Sequence, residues 1–347
     1  MPSTTRQSLF DEAALAFIRT RQPNMAPQLA GRTAAEIARA SALFDKNGWS
    51  DSPATYHRRP PAPLDDDVAT PRTYSWPRRH ELVKFSSGFY PRDVEPGADR
   101  WVSKARNNTV FVRLLRHDAT ARPWVVCLHG FGMSASRFDL APLWASHLHT
   151  NAGFNVAVPA LPLHGPRRSR GDGQLLSLDL TMTLHAVSQA IWDVRRLIQW
   201  IYRSGATAVG VYGLSLGGYL AALLAGIEPV DCIVAGIPFS DVLGLMAYHH
   251  PPPEYVDILR SAAANNAFRV VSPLALTPLV GPDRRAIFAG RADRLIPNSH
   301  SVALGQAWPQ SPIHWYSGGH IGYLWSRDTK AFTTRFLRDA LCSPGRL

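Results

Sequence analysis

Three polar residues in the second half of the chain, Ser215, Asp293 and His320, have the types and the order that nucleophilic catalysis needs. Ser215 is the middle residue of Gly-Leu-Ser-Leu-Gly, at positions 213–217. A serine hydroxyl is a weak nucleophile unless a base takes its proton, and a histidine held by a carboxylate is the usual base. Asp293 and His320 each follow a short apolar run downstream. We therefore take the three residues as candidates for nucleophile, acid and base.

The pentapeptide also has a second interpretation, because residues 205–227 carry no charge and are numerous enough to cross a bilayer. Gly213 and Gly217 fit the small-xxx-small face on which membrane helices associate. The first half of this run is nevertheless β-branched, the middle is turn-like and only the last half is helical, which favours a strand–turn–helix. At such a nucleophile elbow the two glycines would leave room for a sharp turn that holds Ser215 at an unfavourable backbone angle. No transmembrane segment is predicted.

A glycine-containing loop upstream is a candidate for stabilising negative charge. Residues 124–128, WVVCL, are typical of a strand buried on both faces, and His-Gly-Phe-Gly follows. Backbone N–H groups in such a loop can face a reacting centre and form an oxyanion hole with the N–H after the serine. We assign these donors to Phe131 and Leu216, and interpret His129 as a structural residue that braces the loop.

These candidates follow strands in a pattern of alternating strands and helices. Strands are predicted at residues 82–85, 109–115, 124–128, 154–159, 208–212, 232–237 and 286–289, with a further strand-like run before His320. Helices are predicted at residues 180–201, where apolar residues form one stripe, and around 215–225, 299–307 and 329–341. The alternation predicts an α/β fold, a mostly parallel central sheet with helices on both faces.

The first 75 residues have a different pattern. Short helices are predicted around residues 9–18 and at 33–44, and residues 58–77 are rich in proline and acid and are expected to hold no long regular element. We predict a helical N-terminal extension and Pro-rich linker over 1–75 that packs along a catalytic domain over 76–347. A partly disordered tail is the alternative.

Composition limits the possible partners and compartment. The formal net charge is +11, but the arginines are scattered, without a basic run or a nucleic-acid motif. We predict no nucleic-acid partner and at most weak association with anionic surfaces. Three cysteines without C-x-x-C spacing, and an N-terminus unlike a secretory signal, predict a cytoplasmic protein. His249 and His250 precede three prolines and lack the i, i+4 spacing of a zinc site, so no metal is predicted.

The sequence resembles members of the α/β-hydrolase superfamily over about residues 80–343. The resemblance rests on LHGFG, GLSLGG, GRADRLIP and SGGHIGYL, which occur in this order, each at the end of a predicted strand. It implies a serine hydrolase that needs no cofactor and cleaves a small-molecule carboxylic ester or thioester through a Ser215–Asp293–His320 triad. A serine at the nucleophile position is unlike the aspartate of haloalkane dehalogenases and epoxide hydrolases, so those activities are set aside.

The resemblance leaves several points open. Asp241 is an alternative acid. It follows the predicted strand at 232–237, and some members of the superfamily take the acid of the triad from this position. The loop at 159–169 and the residue after it contain four candidates for binding an acidic substrate group: His164, Arg167, Arg168 and Arg170. The alternative is a rigid rim loop with solvated arginines. The insert at about 239–280 corresponds to the usual lid, and its apolar residues suggest a cap suited to an acyl chain. An acyltransferase with the same triad, or a non-catalytic binding protein on the same scaffold, remains the alternative function.

Overall fold

The computed structural model describes residues 11, 27–63, 68–74, 80–117, 121–133 and 140–342. Within these ranges the strands are β1 (Ala69–Tyr74), β2 (His80–Ser86), β3 (Thr109–Leu115), β4 (Trp124–Leu128), β5 (Asn155–Pro159), β6 (Val209–Leu214), β7 (Cys232–Gly236), β8 (Arg285–Gly290) and β9 (Ile313–Tyr316). The α-helices are α1 (Pro27–Lys46), α2 (Ala98–Val102), α3 (Ala145–Thr150), α4 (Leu180–Arg203), α5 (Leu216–Leu224), α6 (Val242–Tyr248), α7 (Pro253–Arg260), α8 (Ala262–Phe268), α9 (Asn298–Ala307) and α10 (Arg327–Cys342).

The described strands form one sheet in the order β1-β2-β3-β5-β4-β6-β7-β8-β9. The six strands from β5 to β9 in this order pair in parallel, whereas β1, β2 and β3 join the edge in antiparallel pairs. Every residue of β4, β6 and β7 is buried, which explains why these strands are continuous apolar runs rather than alternating ones. The predicted mostly parallel α/β sheet is confirmed.

The sheet separates two hydrophobic cores, and the strands β4 to β8 contribute alternate side chains to them. Val126 of β4 lies in the core that also holds α4 and α5, whereas Val125 lies in the core beneath α3 and α10. This division follows from the two-residue side-chain period of a strand. Helices therefore cover both faces, as the sequence predicted.

Strand β1 differs from the sequence-based expectation, which placed no long regular element in residues 58–77. Residues 69–74 pair with β2, with an irregularity of register between Ala69 and Arg72. Pro71, which lies at that irregularity, has no backbone N–H to donate, and β1 is the outermost strand, where a missing donor is tolerated. The predicted helix around residues 9–18 lies, apart from Asp11, outside the described residues.

The connection between β7 and β8 contains α6, α7 and α8, and helix α1 packs against it. The Asn266 side chain of α8 donates to Ser41 Oγ at 2.9 Å and to Asp45 Oδ1 at 2.8 Å. Arg269 Nε donates to the Ser50 carbonyl at 2.6 Å. The N-terminal part of the chain is thus hydrogen-bonded to the insert between β7 and β8. No helix in the described ranges is both long and apolar enough to span a bilayer.

Candidate active site

Ser215 lies at the junction of β6 and α5 with a backbone conformation that an L-residue rarely adopts. Its φ is 56° and its ψ is −113°. The conformation is held because the Ser215 N–H donates to the Gly236 carbonyl of β7 at 2.9 Å and its carbonyl accepts from Tyr219 N–H at 2.9 Å. Strain of this kind persists only where the surroundings over-determine it and is concentrated at functional sites.

Gly213 and Gly217 are required because the backbone segments around Ser215 lie too close together for a side chain at either position. A Cβ added at Gly213 would lie 1.9 Å from the Gly217 carbonyl oxygen, and one at Gly217 would lie 2.0 Å from the Leu128 carbonyl oxygen. Both distances are far below van der Waals contact, and the atoms struck are backbone atoms that cannot rotate away. Helix α5 therefore approaches β4 and β6 closely enough to present Ser215 at the carboxyl end of the sheet.

His320 is bonded to Asp293, across the loops that follow β9 and β8. The distance from His320 Nδ1 to Asp293 Oδ2 is 2.7 Å, and both side chains are buried. The other carboxylate oxygen, Asp293 Oδ1, accepts the backbone N–H groups of Leu295 and Ile296 at 2.9 Å each. Asp293 is thereby fixed in place. Asp241, the alternative acid, lies instead at the start of α6.

The surroundings of His320 favour its protonated form. Burial by itself lowers the pKa of His320, but the charge of Asp293, its hydrogen bond and the charge of Asp11 together outweigh burial, so the net pKa is raised above 6.5. Because Nδ1 faces a carboxylate it carries the proton in the neutral ring, and Nε2 is then the basic nitrogen. This arrangement suits a base that stabilises the imidazolium it becomes.

The loop after β4 is braced by two buried histidines. His129 Nδ1 donates to the Gly130 carbonyl at 2.8 Å, and its Nε2 accepts the Leu161 N–H at 3.1 Å. His164 Nε2 accepts the Gly132 N–H at 3.2 Å, and its Nδ1 donates to the Pro162 carbonyl at 2.8 Å. Burial is the chief reason that the pKa of His129 lies well below its usual value and that the pKa of His164 falls to about 4. Both rings are therefore neutral, and each holds its loop in place through hydrogen bonds to the backbone.

In the loop after β5 the structure corrects the prediction for Arg167, which the sequence placed either on an acidic substrate group or in a rim of solvated arginines. Arg167 is completely buried, and its guanidinium pairs with Asp193 of α4 at 2.7 Å and donates to the Ala160 carbonyl at 3.0 Å. Arg168 and Arg170 are exposed. Arg167 was misassigned because its partner is on a separate helix, and no local spacing relates the two.

A cavity of about 590 Å³ joins the candidate residues, and Ser215, His320, Phe131 and Leu216 all line it. The N–H of Leu216, the first residue of α5, has no acceptor within its own helix. Much of the remaining wall is apolar: Leu29, Leu176, Leu178, Met182, Phe239, Leu245, Met246, Pro251, Pro252, Leu295 and Ile296. Four basic side chains also line it: Arg32, Arg100, Lys104 and Arg168.

His249 belongs to the same wall and hydrogen bonds through Nε2 with the Leu295 carbonyl at 2.8 Å. It therefore joins the helical insert to the loop that carries Asp293. In the described part of the chain no group of three or more His, Cys, Asp or Glu side chains has the arrangement of a metal site.

Asp11 is the residue at this site that sequence reasoning missed. Its carboxylate is fully buried. The His320 N–H donates to Asp11 Oδ2 at 2.9 Å and to Oδ1 at 3.1 Å. No sequence signal could have found it, because 309 positions separate the two residues and Asp11 belongs to no motif.

Comparisons with known proteins agree with this architecture. The model of the alpha/beta hydrolase family matches residues 125–347. Uncharacterized proteins from two Mycobacterium tuberculosis strains, CDC 1551 and H37Rv, are each 36% identical over 350 residues, covering 98% of this chain and 82% of the relative. Among solved structures, acetyl xylan esterase 1 from Thermoanaerobacterium sp. superposes with a TM-score of 0.56 at 15% identity, over 84% of this chain and 98% of that one. The last likeness concerns the fold alone. The protein belongs to the alpha/beta hydrolase family.

Proposed function

We propose that the protein is a serine hydrolase that cleaves a carboxylic ester or thioester through an acyl-enzyme. The observation that carries the proposal is the strained Ser215 in the same cavity as His320, whose ring is held by Asp293 at 2.7 Å. A serine held at this angle, an imidazole with a fixed tautomer and a buried carboxylate are the components of nucleophilic acyl transfer. Family membership supports hydrolysis as the class of reaction.

In the proposed reaction Ser215 Oγ attacks the substrate carbonyl carbon while His320 Nε2 takes its proton. The carbonyl oxygen becomes an oxyanion, which the N–H groups of Phe131 and Leu216 stabilise by about 2.7–4 kcal/mol per donor. His320 then protonates the departing alcohol or thiol as the bond from carbon to the leaving group breaks. Water, deprotonated by His320, attacks the acyl-enzyme and releases the acid and the free Ser215 hydroxyl.

The walls of the cavity support an apolar acyl group as the substrate. The volume of about 590 Å³ lies within the usual range for small-molecule sites, roughly 300–1,000 Å³. Leu245 and Met246 of α6 and Met182 of α4 line it together with the candidate catalytic residues. Burying a methylene against such walls is worth about 0.8 kcal/mol, so binding should improve with acyl length until the cavity is filled.

The experiment that tests the nucleophile is labelling with a fluorophosphonate probe. The wild type should be labelled, Ser215→Ala should not, and Ser204→Ala, which alters an exposed serine at the end of α4, should be labelled like the wild type. Label that survives Ser215→Ala would refute the assignment. An unlabelled wild type would indicate a binding protein on a hydrolase scaffold.

The substrate class is tested with p-nitrophenyl esters of increasing acyl length. We expect kcat/KM to rise with chain length and then to level off, and Ser215→Ala to abolish turnover at every length. Products are analysed with and without an added alcohol acceptor. Acyl transfer that outcompetes hydrolysis would contradict the hydrolase and indicate an acyltransferase.

A further inference from the structure

Asp11 connects the two loops that carry the proposed acid and base. Its carboxylate accepts the backbone N–H of His320, in the loop after β9, at 2.9 Å and the N–H of Arg294, in the loop after β8, at 3.3 Å. Asp293, next to Arg294, holds the His320 ring. The relative position of acid and base is therefore determined twice, once by their direct hydrogen bond and once through Asp11.

The chain makes room for this carboxylate at Gly319. A Cβ added there would lie 2.5 Å from Asp11 Oδ2, and its three nearest atoms all belong to the Asp11 carboxylate. The Tyr316 hydroxyl donates to the Gly319 carbonyl at 2.9 Å. The backbone before His320 thus contacts both a tyrosine of β9 and a residue from the N-terminal part of the chain.

The charge of Asp11 also acts on His320. Among the residues that the structure describes, the titratable groups that act on Asp11 are Asp293, His320 and Tyr316, and those that act on the His320 ring are Asp293 and Asp11. Burial, followed by the charge of Asp293, raises the pKa of Asp11, while the backbone hydrogen bonds oppose this rise. An ionised Asp11 adds a second negative charge that favours the imidazolium.

We propose that Asp11 is a positioning residue of this site, which holds the His320 loop against the Asp293 loop and supplies a second negative charge to the imidazole. The roles of His320 and Asp293 as base and acid rest on the proposed function, whereas the contact and the charge do not. On this view the N-terminal part of the chain completes the site instead of being an appendage to it.

The test replaces Asp11 with asparagine in the full chain and follows the His320 imidazole by nuclear magnetic resonance. Asn keeps the shape and one acceptor oxygen but removes the charge, so the pKa of His320 should fall below that of the wild type. Asp51→Asn, at an exposed position of the same part of the chain, should leave that pKa unchanged. An unchanged His320 pKa in Asp11→Asn would overturn the proposal. This readout does not depend on whether the protein is an esterase.

Gly319→Ala tests the contact from the opposite side and serves if Asp11→Asn does not fold. Its new Cβ should displace the carboxylate and lower the rate of fluorophosphonate labelling at neutral pH about tenfold, because the His320 loop loses its support. In an Asp11→Gly background the clash is gone, so Gly319→Ala should have little further effect. If Gly319→Ala lowered the labelling rate by the same factor in the Asp11→Gly background as in the wild type, Asp11 and the histidine loop would not be coupled. A wild type that is not labelled at all would refute the proposed function instead, and the resonance titration would still decide on Asp11.

Discussion

Asp293→Asn separates the two tasks that the structure gives this carboxylate. Oδ1 accepts hydrogen bonds from the backbone N–H groups of Leu295 and Ile296, and Oδ2 accepts a hydrogen bond from Nδ1–H of His320. An asparagine can keep its oxygen on the two backbone groups, so the loop should stay folded. Its amide then faces Nδ1, which must become an acceptor, and the ring proton moves to Nε2. A ring protonated at Nε2 cannot take the Ser215 proton, and we expect kcat to fall about 10⁴-fold.

Asp293→Ala should lower stability as well as activity, whereas Asp293→Asn should lower activity alone. It leaves two backbone N–H groups without their acceptor in a partly buried loop, at about 1–3 kcal/mol for each unsatisfied group. Urea unfolding should therefore show a loss of about 2–6 kcal/mol for Asp293→Ala and less than about 1 kcal/mol for Asp293→Asn.

The matched control is Asp241→Asn, which alters the other acid that the sequence allowed. Asp241 lies at the start of α6, and His320 is bonded to Asp293. Ester hydrolysis by Asp241→Asn should remain within a few-fold of wild type. If Asp241→Asn lost as much kcat as Asp293→Asn, or if Asp293→Asn kept wild-type kcat, the assignment of the acid would be refuted.

Three further predictions follow from the site and its support. Because the base must be neutral and the pKa of His320 is raised, kcat/KM for ester hydrolysis should fall with decreasing pH around a midpoint above 6.5; a midpoint below 6 would contradict the carboxylate effect. Gly217→Ala should destabilise the protein by about 3 kcal/mol or more in urea unfolding, since its Cβ would lie 2.0 Å from the Leu128 carbonyl oxygen; wild-type stability would show that the turn can relax. Arg167→Ala removes the ion-pair partner of the buried Asp193 and should cost about 3–5 kcal/mol by the same measurement, whereas a loss below about 1 kcal/mol would show that the pair is not needed.

Much of the architecture was predictable because its causes are local or repetitive. Central strands such as β4 and β6 are apolar throughout because both faces are buried, and helix α4 shows one apolar stripe because one face packs on the sheet. The bounds predicted for β4 agree with the structure residue for residue. Strand β1 was missed because its pattern is weak: proline is allowed there only by its place at the edge of the sheet, which pairing with β2 decides.

In the candidate site, too, the features with local causes could be predicted and those with distant partners could not. The Gly-Leu-Ser-Leu-Gly turn could be recognised because its steric requirement lies within two residues of Ser215. The direct bond between His320 and Asp293 was expected from chain order, since parallel strands bring their carboxyl ends to one edge. His164 and Arg167 could not be placed, because their hydrogen-bond partners belong to other elements.

Residue types and their order along the chain are enough to point to the residues whose chemistry is to be tested: a serine in a glycine-lined turn, an acid and a histidine, each after a buried strand. The contact between Asp11, in the N-terminal part of the chain, and His320 is seen only in the folded chain. Asp11 reaches His320 through backbone hydrogen bonds, which leave no trace in residue type or spacing. Short-range steric requirements and burial are reflected in the local sequence, whereas a contact across 309 positions forms only once the chain has folded.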